Sequence, residues 1–184
     1  MKKIFAVTFL SLGLIASAQI LFNSQPVNKK PWTKDYKESR KVITGQLTPE
    51  EYTKTKTEID KQLNLTIPDN QNIYLKYYQA ASNCSIIDLS KKKQLTYYSN
   101  IVNHVNYISK KLNAVSFSIY NDNSFHADYF KENKKYIKDS GFFKENIFKL
   151  SESCEASFIL KPNGAFQINY GTDAADPDIN FLQL

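Results

Sequence analysis

The sequence predicts an α/β fold: a mixed central sheet flanked by helices, with a helical extension on the N-terminal side. Three observations carry that expectation. Residues 73–78 (IYLKYY) and 114–120 (AVSFSIY) are rich in aromatic and aliphatic side chains, as strands are. Between them Tyr98, Ile101, Val102, Val105, Ile108 and Leu112 recur at three- and four-residue spacing, the mark of a long amphipathic helix. Residues 156–161 and 165–170 flank Pro162-Asn163-Gly164, a hairpin signal. Two strands joined through a helix favour parallel pairing with a right-handed crossover, and the hairpin then adds antiparallel strands.

Taken in order, the chain opens on an export signal. Met1, Lys2 and Lys3 form a positive start, and residues 4–15 are an apolar run broken by Thr8, Ser11 and Gly13. Ala16-Ser17-Ala18 then offers an A-x-A cleavage site, so residues 1–18 are expected to be a signal peptide and Gln19 the mature N-terminus. The run is shorter than the roughly 20 apolar residues of a spanning helix, so no stable membrane span is expected after processing. A periplasmic or secreted location follows.

Residues 19–71 are expected to form an arm and a covering helix. From Gln19 to Gly45 there is little periodicity, with Pro26, Pro31 and Trp32 as a candidate anchor. Thr48 as N-cap, Pro49 at the first helical position and Glu51 three residues after the cap make a capping box. Tyr52, Ile59 and Leu63 share one face of the helix that follows, which ends before Pro68. Residues 72–184 are the main domain. Phe125, Tyr129, Tyr136 and Ile137 suggest a further helix ending near Gly141, and Asp176-Pro177 opens a terminal helix with Ile179, Phe181 and Leu182. The expected order from residue 72 is β-α-β-α-β-β-α, with no internal repeat.

Composition narrows the function classes. Removing Lys2 and Lys3 takes 24 basic residues to 22 against 18 acidic ones, a mature charge of +4. Arg40 is the sole arginine, and the lysines of 34–41 and 131–138 are interspersed with acids, which argues against nucleic-acid binding. Twelve Tyr and twelve Phe supply core material. His104 and His126 fall in expected helices without a paired ligand motif, so no metal is expected. No phosphate loop, nucleophile elbow or calcium loop occurs, and no cofactor is expected.

Cys84 and Cys154 are the two cysteines of the chain. Ala81 and Ile87 stand three residues either side of Cys84, so no C-x-x-C motif is present. In an exported chain such a pair most often forms one structural disulfide.

The order of elements resembles the thioredoxin-like superfamily, in particular exported thiol-disulfide oxidoreductases and redoxins. IYLKYYQAASNC (73–84) is similar to that family's first core strand and active-site turn. AVSFSIYND (114–122) is similar to the next core strand and its polar turn, and CEASFILKPNGAFQINYG (154–171) to its hairpin and following glycine. The family's dithiol pattern is degenerate here. Cys84 has no second cysteine on its turn, Ser82, Asn83 and Ser85 surround it, and Glu155 stands where the family has a cis-proline. The stretch between Cys84 and Val115 is also longer than one crossover asks for, and Ser90 is an alternative N-cap.

In that fold the residue before the proline faces the active-site turn, so the resemblance implies that Cys84 and Cys154 are neighbours and bonded. Asp122 and Glu155 become candidate polar groups near a cleft, with a turn residue and a solvated carboxylate as the plainer expectations. The function expected is protein binding by an exported, redox-inactive thioredoxin-like protein, with an unidentified protein partner in the cell envelope. The alternatives are an atypical envelope oxidoreductase using Cys84 and Cys154, and a periplasmic immunity or inhibitor protein.

Overall fold

The computed structural model describes residues 19–21, 34, 41–81, 84, 86–171 and 175–184. The expected signal peptide, Trp32 and the polar neighbours Ser82, Asn83 and Ser85 lie outside the described residues.

Among the described residues seven strands form one mixed sheet: β1 (Gln19–Leu21), β2 (Lys41–Gln46), β3 (Asn72–Tyr78), β4 (Ala114–Tyr120), β5 (Tyr136–Lys138), β6 (Glu155–Leu160) and β7 (Ala165–Tyr170). Among the described residues the helices with full bounds are α1 (Pro49–Leu63), α2 (Lys91–Lys111), α3 (Ala127–Glu132), α4 (Phe142–Asn146) and α5 (Ala175–Gln183). The strand order is β1-β2-β7-β6-β3-β4-β5. The pairs β3–β4 and β4–β5 are parallel, and every other neighbouring pair is antiparallel. The parallel pairing of β3 with β4 through α2, and the β6–β7 hairpin beside β3, are as the sequence predicts.

Alternation along the strands sends side chains to two covered faces. Ile73, Leu75 and Tyr77 of β3 join Phe158, Leu160, Phe166 and Ile168 in a core closed by Ile59 and Leu63 of α1 and Phe143 of α4. The other face carries Tyr74, Lys76 and Tyr78. It packs on Val105 and Ile108 of α2 and Leu182 of α5 at one end, and on Tyr98 and Val102 of α2 with Phe130 of α3 at the other. No described helix is long and apolar enough to cross a membrane.

The start of α1 follows its sequence. The Thr48 hydroxyl accepts from the Glu51 amide at 3.3 Å, and the Glu51 carboxylate accepts from the Thr48 amide at 2.8 Å. The helix closes at Asn64 in the left-handed region, φ 54°. The hairpin tip locks onto the same junction: the Leu47 amide donates to the Gly164 carbonyl at 2.9 Å, and Gln46 Nε2 to that of Asn163 at 2.6 Å. Gly164 has φ +84°, and a Cβ there would stand 2.7 Å from the Leu47 carbonyl oxygen, so the turn requires glycine.

Two expectations are corrected. The irregular arm over residues 19–45 is strand at both ends, because β2 pairs with β7 over its full length and β1 pairs with β2. The single helix expected through Phe125 and Ile137 stops at Glu132. Asn133 ends it, its side chain accepting from the Lys135 amide at 3.1 Å, and Tyr136–Lys138 then pairs with β4 as a strand. Asp139 follows and starts α4 instead, accepting from the amides of Gly141, Phe143 and Lys144.

Candidate functional site

Cys84 and Cys154 are joined by a disulfide, with Cα atoms 5.0 Å apart. The bond lies at the carboxyl end of β3, where the chain leaving the sheet meets the start of β6. Gln79 stitches the two segments: its amide donates to the Cys154 carbonyl at 3.0 Å. Its side-chain Nε2 donates to the carbonyls of Leu150 and Ser153, and its Oε1 accepts from Lys144 Nζ at 3.0 Å. Cys84 is 0% exposed and Cys154 2%, packed among Tyr78, Ile86 and Tyr98.

Cys84 is not at a helix start. α2 begins at Lys91 with Ser90 as N-cap, after a turned segment in which Ile87 donates to Cys84 and Leu89 to Ile86. The positive end of the α2 dipole therefore falls at Lys91 rather than at Cys84, and with it the usual means of stabilising a thiolate. Gln94, buried in the first turns of α2, holds the segment by donating to the carbonyls of Ile87 and Leu89. Its Oε1 meets Nε2 of His126. Burial, then the nearby Lys91 charge, keeps the His126 imidazole below its usual value. His126 thus caps α3 rather than lying within it, and His104 is on the exposed face of α2.

Glu155, the residue after Cys154, is not a solvated carboxylate. It is fully buried, and its Oε2 lies 3.1 Å from Nζ of Lys76, which is also fully buried. Tyr97 donates to the same oxygen at 3.4 Å. Burial first and the Glu155 charge second push the Tyr98 phenol up, so it stays protonated. Asp122 is the turn residue it was expected to be, exposed and paired with Lys138 at 2.6 Å.

Beyond Lys76 lies a second buried acid, Asp178 of α5. Tyr74 donates to Asp178 Oδ2 at 2.8 Å, and Gln167 and Asn169 donate to Oδ1 at 3.1 and 3.4 Å. Burial raises the Asp178 carboxyl above its usual range, partly offset by Lys76 and by the bonds it accepts. Sequence reasoning missed Lys76, Gln94 and Asp178. Lys76 alone left a signal, a lysine inside an otherwise apolar strand run. Among the described residues no group of three or more His, Cys, Asp or Glu could hold a metal.

The arrangement can cross-link two segments and bury a charge pair behind the cross-link. As folded, it offers no exposed sulfur to an attacking thiolate. No family model matches the chain, and no curated protein or solved structure matches it.

Proposed function

We propose that the chain is an exported protein of thioredoxin-like fold that acts by binding protein, with Cys84–Cys154 as a structural cross-link. The burial of both cysteines, which leaves no exposed sulfur for exchange, is the observation that favours binding over thiol catalysis. The placement of Cys84 before, rather than at, the start of α2 adds to it. The thioredoxin-like part is supported by the order β7-β6-β3-β4, with a helical crossover between the parallel pair and a hairpin on the other side. Export is supported by the A-x-A site and by a disulfide suited to an oxidising compartment.

The test is thiol chemistry on the protein purified from the envelope, whose mass should correspond to a start at Gln19. The bond should resist glutathione buffers, as structural disulfides with potentials below about −300 mV do. Cys84→Ser should lose stability on the order of 4 kcal/mol, the loop-closure entropy of a 70-residue separation, and forfeit no exchange activity. Catalysed oxidation of a reduced test protein, abolished by either serine substitution, would instead establish an envelope oxidoreductase using Cys84 and Cys154.

A further inference from the structure

Six large apolar side chains are exposed among the described residues, and three of them stand on two segments that one hydrogen-bond network joins: Ile87 (43% exposed), Leu89 (39%) and Phe125 (41%). The hydrogen bonds of Gln94 bring them together, since it holds the carbonyls of Ile87 and Leu89 and meets His126, the neighbour of Phe125. Scattered apolar residues on a surface need no explanation, but three on segments tied to one buried anchor are candidates for a common patch. The patch is built by the turn between Cys84 and α2 and by the β4–α3 turn.

The rim has a definite charge. Lys91, Lys92 and Lys93 follow Leu89 closely, all exposed, and the first turn of α2 holds no acidic residue. Three like charges at the positive end of a helix dipole disfavour the helix that carries them. Asp88 is the one carboxylate of residues 86–93; on the Phe125 side Asp122 is paired with Lys138 and Asp128 is exposed in the first turn of α3, so the basic charge is concentrated on the α2 side of the rim. A partner bringing carboxylates would relieve that repulsion while covering the apolar centre.

We propose that Ile87, Leu89 and Phe125, rimmed by Lys91, Lys92 and Lys93, form the docking surface for an acidic protein segment with an apolar anchor residue. This deepens the protein-binding reading above and rests on it. The probe is a phage-displayed library of random peptides panned against the full mature protein with its disulfide intact. Enriched peptides should carry Asp or Glu around a Leu, Ile, Phe or Trp, and bind more weakly as salt is raised. Their affinity should fall about tenfold or more in a Leu89→Ser/Phe125→Ser variant and in a variant with all three lysines changed to Glu. The substituted side chains are exposed, and circular dichroism with a thiol count verifies that both variants keep the fold and the bond. Enriched peptides that lack acids, or that bind the variants as well as the parent, would overturn the surface and leave protein binding standing elsewhere. Self-association abolished by the same substitutions would put a second copy of the chain on the patch and overturn the acidic partner. A library that enriches nothing would count against the protein-binding reading itself, and the proposed surface would fall with it.

Discussion

Lys76 and Glu155 place opposite charges inside the sheet with no solvent access, so each leans on the other, beside Tyr97 at Glu155 and Asp178 beyond Lys76. Withdrawing an ammonium and a carboxylate from water costs several kcal/mol per ion, and their attraction in the interior offsets this only while both remain. Lys76→Met should therefore lower stability by about 3–5 kcal/mol in urea unfolding, because it removes the cation that faces the buried Glu155 carboxylate. Lys76→Met combined with Glu155→Leu should recover most of that loss, since an apolar pair has no charge to desolvate. A double variant as unstable as the two single losses added together would show that the residues do not act as a pair. Neither the burial of Glu155 nor its partner was legible locally. The residue follows a cysteine in a polar stretch, and its environment is made by a strand far away in sequence.

At the scale of elements, legibility tracked length and local chemistry. α1 and α2 repeat their apolar spacing over several turns, and both formed where the pattern placed them. Thr48 shows how local the first signal is: its capping box lies within four consecutive residues and depends on nothing beyond them. Thr48→Ala should accordingly cost about 1 kcal/mol, read as a lower unfolding midpoint with unchanged denaturant slope. A loss well above that would mean that Thr48 also supports the adjoining hairpin tip. The elements that the pattern missed were short. β5 has three residues and α4 five, too few for a period to show, and both are fixed by partners: the edge of β4 for one, the Asp139 carboxylate for the other. β2 contains the β-branched run Val42-Ile43-Thr44, but it stands beside a charged, proline-containing stretch that reads as irregular. The disulfide was legible by two routes, the cysteine count of an exported chain and the resemblance, which placed two cysteines 70 residues apart at facing positions.

At the scale of the whole molecule, the two faces of the sheet are held by different physics. One is closed by apolar burial under α1 and α4. On the other, Ser118, Lys76, Ser157 and Asn169 stand in register across β4, β3, β6 and β7, a buried polar row beneath the helices. α5 adds Asp178 to that row, so it docks through a titratable group as well as through Leu182. The groups facing Asp178 are Tyr74 and Lys76 of β3, Ser157 of β6, and Gln167 and Asn169 of β7, with Glu155 beyond Lys76. Its carboxyl holds a proton more tightly in the folded chain than at its ordinary value of 3.8. Such a group contributes fully below the unfolded value, and the contribution is lost as pH rises through the folded one. The stability of the parent relative to an Asp178→Asn variant should therefore decline as pH rises above about 4 and level off once the folded carboxyl has ionised. Hydrogen exchange in residues 175–184 should report the same trend, with opening of α5 favoured at higher pH in the parent and insensitive to pH in the variant. A parent advantage that grows with pH would mean that the bonds from Tyr74, Gln167 and Asn169, together with Lys76, outweigh burial and that the fold selects the ionised carboxylate.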